Sequence, residues 1–378
     1  PDMTILAEHI TESGLTQMTY QQEPNQIIWG VRDDGELIGL TYQREQQVTA
    51  WHRHIFGGRF GSATVTVTDY ARIILKKADG TNTTFTSATS ATSGKFHTTS
   101  SNNQTATNLK TLIDADSNFT ATVNSNVVTI TETSPLSTGF LTIKSLDDAT
   151  RLTSTNEGKA VCESVSVIPT DDSEYQTWVI VKRTINGITR RFVEFINTFD
   201  FTETDNTTFN FLDSALAYSG SAVTTISGLD HLEGQTVGIL ANGATHPDKT
   251  VSSGSITLDR ASTNVKVGLA YNSILQTMRI DAGSQNGTSQ GKTKRIYEIT
   301  IRLFESIGVE VGETLDNMER IPFRTSFDPM DEGIPPFTGD KAVEFRGNYD
   351  TDGFIFVRQT QPLPLTILSL YPELQTND

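Results

Sequence analysis

The chain has 378 residues, room for roughly two to four domains, with 36% hydrophobic residues and a net charge of −16. Apolar residues run throughout, which argues against global disorder, and no run reaches the ~18 apolar residues of a membrane helix. The acidic balance disfavours tight nucleic-acid binding through a broad basic face, though it suits a wall past which DNA slides, and the single cysteine, Cys162, excludes an intrachain disulfide framework.

The chain starts Pro1-Asp2-Met3, with neither an initiator Met nor a signal peptide, and so reads as a fragment or a processed product. A first helix is expected over 2–12, with Asp2 as cap and Ile5, Leu6, His9 and Ile10 on one face. Hairpins then dominate: β-branched and aromatic runs flank Asn-Gly or Asp-Gly, the strongest local hairpin cue. Strands at 27–31 and 36–42 flank Asp34-Gly35, and 73–77 precedes Asp79-Gly80. Leu109, Leu112 and Ile113 set a second helix over 104–115, and a hairpin at 119–123 and 127–131 turns at Asn124-Ser125-Asn126. Strands 178–185 and 188–195 flank Asn186-Gly187. A short third helix is expected at 211–217. Strands follow at 236–240 (before Asn242-Gly243), 255–258, 265–269, 295–304, 353–358 and 365–371.

Composition shifts at Gly57-Gly58 and near Gly158. The chain therefore divides into 1–60 with 156–200 as one β platform, a Thr/Ser/Asn-rich α+β module inserted at 61–155, a small β barrel or sandwich at 201–275, and a C-terminal β domain at 276–378. The fold class is mainly β.

The 178–195 hairpin can be read to the residue. A two-residue turn at Asn186-Gly187 sets Ile185 opposite Ile188, Arg183 opposite Arg190, Val181 opposite Phe192 and Val179 opposite Glu194. The other face pairs Thr184 with Thr189, Lys182 with Arg191, Ile180 with Val193 and Trp178 with Phe195. Away from the turn both faces are mostly apolar, so cover is expected on both sides. Near the turn like charges oppose, which destabilises a strand pair unless something neutralises them. Lys182, Arg183, Arg190 and Arg191 are thus either neutralised by acids of a neighbouring element or subunit, or they contact phosphate or a partner protein.

Several stretches resemble the tail tubular protein B family, the tail nozzle proteins of short-tailed bacteriophages. They are 6–14 (LAEHITESG), 22–25 (QEPN), Ile28-Trp29, 34–42 (DGELIGLTY), 50–54 (AWHRH), Gly57-Gly58, 178–187 (WVIVKRTING) with 191–194 (RFVE), and 229–237 (LDHLEGQTV) continuing to 267–271 (VGLAY). They extend over nearly the whole chain apart from 61–155. The resemblance implies partial β-propeller-like sheets and a C-terminal fragment of a longer protein. It implies a structural virion protein of the phage tail, made in the host cytoplasm. Its implied partners are itself in a ring, usually hexameric in that family, the neighbouring tail adaptor, fibre or spike proteins, and genomic DNA in transient passage during ejection. Stable membrane insertion is not implied. The competing reading is a surface adhesin or glycan-binding tail module, motivated by the hydroxyl-rich insert; a third is a capsule-degrading hydrolase.

No catalytic, metal or cofactor site is expected, and the protein is read as no enzyme. There is no P-loop, dinucleotide fingerprint or Gly-x-Ser-x-Gly elbow. His52 and His54 share a strand face but lack a third ligand at a telling spacing, and are read as ordinary hydrogen-bonded histidines. Cys162 is read as a half-buried small residue, and Trp29, Trp51 and Trp178 as core rather than a sugar platform. Asp33-Asp34, Asp147-Asp148 and Asp171-Asp172 mark turns or opposite strand faces. Asp328, Asp331 and Glu332, interrupted by Pro329, read as a solvated loop.

Overall fold

A computed structural model describes residues 2–5, 7–11, 13–58, 62–67, 72–76, 82–90, 92–99, 101–132, 142–145, 152–157, 160–170, 175–185, 188–197, 203–280, 283–284, 287–288, 291–315, 317–328 and 333–377. The protein is mainly β, built from several small, mostly antiparallel sheets, and forms two compact units, 1–198 and 199–378.

The first unit opens with a single helical turn, α1 (Glu8–Thr11), far shorter than the helix expected over 2–12. The Asp2 carboxylate accepts from the Thr4 amide at 2.8 Å, closing a local turn instead of capping a helix. Among the described residues of this segment, Ala7 and Ile10 find a core, against Ile38, while Ile5 stays 65% exposed. Four strands then form an up-and-down meander: β1 (Leu15–Gln21), β2 (Ile27–Arg32), β3 (Leu37–Gln43) and β4 (Val48–His54). The turn between β2 and β3 uses Gly35 at φ +80°, where a Cβ would run into Val161.

The next elements are β5 (Ser62–Val67), β6 (Arg72–Lys76), β7 (Asn82–Ala88), β8 (Lys95–His97), α2 (Asn102–Asp114), β9 (Phe119–Asn124), β10 (Val127–Glu132), β11 (Thr142–Ser145) and β12 (Leu152–Glu157). They form two four-stranded sheets, β12-β5-β10-β9 and β11-β6-β7-β8, and the β7–β8 pair is parallel. Ser101 caps α2 by accepting from the Gln104 amide, and Leu109 and Ile113 bury the helix against Phe96, Phe119, Val128 and Ile130. The β9–β10 hairpin pairs Asn124 with Val127, so its turn has two residues, not three; Ser125 adopts φ 57°.

A three-stranded sheet, β13 (Val161–Pro169), β14 (Tyr175–Ile185) and β15 (Ile188–Phe195), completes the unit. It packs on the meander: Trp29, Val31, Leu37 and Phe56 share one core with Ala160, Cys162, Val165, Val179 and Val181. Gln21 fastens the two sheets, its Oε1 accepting from Trp29 Nε1 and from Thr177 Oγ1, each at 2.8 Å. Segments on either side of 61–155 thus meet in one core.

In the second unit, β16 (Asp213–Ser227), β17 (Thr236–Ala241), β18 (Ala244–Thr250) and β19 (Ser255–Leu269) make a sheet of order β16-β19-β17-β18. The helix expected at 211–217 is instead the start of β16, because Leu216 and Tyr218 pair with Val267 and Val265 and pack on an apolar core. The strands expected at 255–258 and 265–269 are one continuous β19. The Asn242-Gly243 turn has φ 50° and 75°, as a two-residue turn with both centres left-handed requires. Among the described residues no strand pairs with the outer edges of β16 and β18, so the barrel alternative for 201–275 is corrected to an open sheet.

The remaining strands are β20 (Ser273–Gln276), β21 (Gly283–Ser284), β22 (Gly287–Thr288), β23 (Thr293–Ser306), β24 (Val309–Thr314), β25 (Asn317–Arg320), β26 (Phe337–Glu344), β27 (Phe356–Gln359) and β28 (Thr366–Asn377). Sheets β20-β27-β24-β25 and β26-β23-β28 share an apolar core that includes Ile299, Ile301, Leu303, Val309, Val311, Ile355 and Val357. The Asn186-Gly187 and Asp79-Gly80 turns, Asp147-Asp148, Asp171-Asp172 and Pro329, Asp331 and Glu332 lie outside the described residues.

Gly35→Ala combines a strained φ with a collision against Val161. Urea denaturation should show a loss of about 2 kcal/mol or more; a loss below ~0.5 kcal/mol contradicts the close approach.

Candidate functional site

The basic hairpin β14–β15 has the register read from its sequence at all eight pairs, from Trp178 opposite Phe195 to Ile185 opposite Ile188. Its four cations have different fates. Arg183 is 1% exposed. Its guanidinium donates to both carboxylate oxygens of Glu194, at 2.6 and 2.9 Å, and through Nε to the Gly57 carbonyl at 3.2 Å. It also lies 5.9 Å from the Phe56 ring centroid and 5.4 Å from that of Phe192. Cation–π contact and a bidentate carboxylate together replace the lost water. Arg183 therefore offers no surface to phosphate or a partner.

Lys182 and Arg191 share one acid. Glu163 meets Lys182 Nζ at 3.3 Å and Arg191 Nε at 2.6 Å. The β13 strand pairs Cys162 with Val181 and Ser164 with Ile180, leaving Glu163 as the extra residue of a β-bulge on that rim. The Arg191 hydrogen bond is the largest influence holding the Glu163 carboxyl below its usual range, with Lys182 adding to it. Arg190 is exposed and has no ion pair among the described residues.

The acids that answer the like charges were in the sequence. Glu194 is on the Arg183 face, but the notional direct partner there was Arg190. The long arginine side chain instead runs along the sheet past Phe192, which directly-opposed pairing does not anticipate. Glu163 had no sequence signal, because a bulge is set by backbone packing.

Cover on both faces of β14–β15 was expected. One face is covered: Val179, Val181, Arg183 and Ile185 are buried. The other is open, with Trp178 and Ile180 half-buried, Val193 68% exposed and Phe195 48% exposed.

His52 and His54 do share a face of β4. Their ring centroids are 4.9 Å apart, and Trp29 lies 5.6 Å from His52 and 4.8 Å from His54. The hydrogen-bonded reading is corrected for His52, whose buried Nε2 has no hydrogen-bond partner among the described residues. It lies against Gly39, where a Cβ would collide with the ring. Burial lowers the His52 pKa; burial, then the charge of His52, lowers that of His54 to about 3. Among the described residues no group of three or more His, Cys, Asp or Glu is placed to hold a metal. Cys162 is fully buried, not half-buried, and burial pushes its thiol up to about 12, far from a nucleophile's range. Trp29 is a core residue. Trp51 is half-buried and donates to the Met3 carbonyl at 2.8 Å. The Asp328 carboxylate is occupied by the Thr325 amide and hydroxyl.

No protein-family model matches the chain, and no curated protein matches it. No helix among the described residues is long and apolar enough to cross a membrane.

Two predictions follow from this geometry. Glu194→Gln leaves Arg183 buried without its counter-charge and should cost about 3 kcal/mol in urea denaturation, whereas exposed Arg190→Ala should stay within ~0.5 kcal/mol of wild type. Equal effects would contradict the assignment. Histidines whose folded pKa lies below 6.5 contribute stability above that pH and lose it as pH falls toward 3. Stability should fall below pH 6.5 with a slope nearing about 1.4 kcal/mol per pH unit for each histidine titrating, and His54→Phe should flatten that slope. A wild-type profile already flat from pH 7 to 4 would remove this role.

Proposed function

We propose that this chain is a structural virion protein of the tail nozzle of a short-tailed bacteriophage, one that assembles with copies of itself into a ring around the DNA exit channel. The observation that carries the reading is the β14–β15 hairpin. This stretch, one of those that resemble the tail tubular protein B family, forms a sheet with one face left open and apolar, as expected of a protein that works inside an assembly. The role is scaffolding rather than catalysis. The protein would be made in the host cytoplasm and reside in the virion tail, beside the adaptor and the fibre or spike proteins, with DNA in transient passage. The net charge of −16 supports a channel wall that DNA slides past with weak contact.

The open face carries aliphatic Ile180 and Val193 in the row beside the Trp178–Phe195 pair, which favours protein contact over sugar stacking. Negative-stain electron microscopy of the purified chain, alone and with the neighbouring tail adaptor, tests the assignment. Rings with a central hole at least as wide as duplex DNA are expected. Dispersed monomers in both samples, with binding of the chain on a glycan array, would replace the nozzle reading with the adhesin one.

A further inference from the structure

The open face of β13-β14-β15 has an ordered composition. Ser166, Trp178 and Phe195 form one cross-strand row, and Ser164, Ile180 and Val193 the next. The Trp178 and Phe195 ring centroids are 5.4 Å apart. The next row on this face is Lys182 and Arg191, two cations that share the single carboxylate of Glu163. It is apolar with a surplus of positive charge at one end.

The sheet β26-β23-β28 of the second unit has an outer face of opposite character. Its inner residues Ile299, Ile301 and Leu303 are fully buried. On the outer side Glu344, Glu298 and Glu373 stand in one row across all three strands. Directly opposed like charges destabilise a sheet, so this row is costly for an isolated chain. Glu298 and Glu344 have no ion pair among the described residues, while Glu373 accepts from the Tyr297 hydroxyl at 2.9 Å. The adjacent row is Ala342, Thr300 and Tyr371, with Tyr371 49% exposed.

We propose that the open face of β13-β14-β15 in one copy docks on the outer face of β26-β23-β28 in a second copy. Trp178, Ile180, Val193 and Phe195 pack over the Ala342–Tyr371 row, and Lys182 and Arg191 meet the glutamate row. The inference rests on the self-assembly proposed above and names its two surfaces. Charge selects the occupant: chains of net charge −16 repel one another except where a local positive surplus meets a concentration of acids. Two different surfaces meet, so copies add head to tail and close into a ring if the rotation allows.

Sedimentation velocity on the full chain tests this with two charge-reversed variants, Arg191→Glu and the double variant Glu298→Lys/Glu344→Lys. Each variant alone should raise the concentration needed for assembly by about tenfold, at an unchanged melting temperature. An equimolar mixture should recover wild-type assembly, because the reversed face of each meets a face of opposite charge on the other. Rising salt should weaken wild-type assembly. If wild type and both variants assemble alike, or the mixture fails to recover, the two surfaces are wrong while the ring reading stands. A wild-type chain that stays monomeric at about 100 µM, both alone and with the neighbouring tail adaptor, overturns both.

Discussion

The alternation of side chains along β14 and β15 is the constraint from which the site follows. With a period of two, one register choice sends Val179, Val181, Arg183 and Ile185 to the inner face and Trp178, Ile180, Lys182, Val193 and Phe195 to the outer. A slip by one residue would bury Lys182 and expose the valines. The inner face has somewhere to go because the meander supplies Trp29, Val31 and Leu37. The outer face has no such neighbour in its own sheet, and that asymmetry is what makes it a surface of interest.

Burial of Arg183 shows how the same hairpin tolerates a cation inside. An unpaired guanidinium in an apolar core costs several kcal/mol, so its position depends on Glu194, the Gly57 carbonyl and the two flanking phenylalanines acting together. The residues next to it, Lys182 and Arg191, are held at the rim by Glu163 and keep their contact with water. One short run of basic residues thus serves as core cement on one face and as a charged rim on the other. Their chemical identity does not distinguish these roles; strand parity does.

The histidine pair is a different kind of burial. His52 and His54 lie against Trp29 with an unmet polar atom at His52 Nε2, a cost that a better-satisfied residue would avoid. Gly39 leaves the space that the His52 ring fills. Burial lowers the pKa of both rings, so protonating either works against their packed position.

Local signals settled what is local. The Asn-Gly turn dipeptide and flanking periodicity determined all eight pairs of the 178–195 hairpin, and the helical spacing of Leu109, Leu112 and Ile113 determined α2 to within about two residues, since both depend on neighbours in the chain. The mainly β class was legible for the same reason. Where elements compete for partners, sequence alone misled: 211–217 has helical apolar spacing, but pairing with β19 captures it as strand, and the turn made by Asp2 and Thr4 displaces most of the helix expected at 2–12. The bulge that delivers Glu163, the reach of Arg183 to Glu194 and the glutamate row across β26, β23 and β28 depend on segments remote in the chain being brought to one sheet. Only the tertiary structure decided them, because hydrogen-bond register between distant strands is chosen by the core they jointly bury, and no short stretch of residues encodes that core.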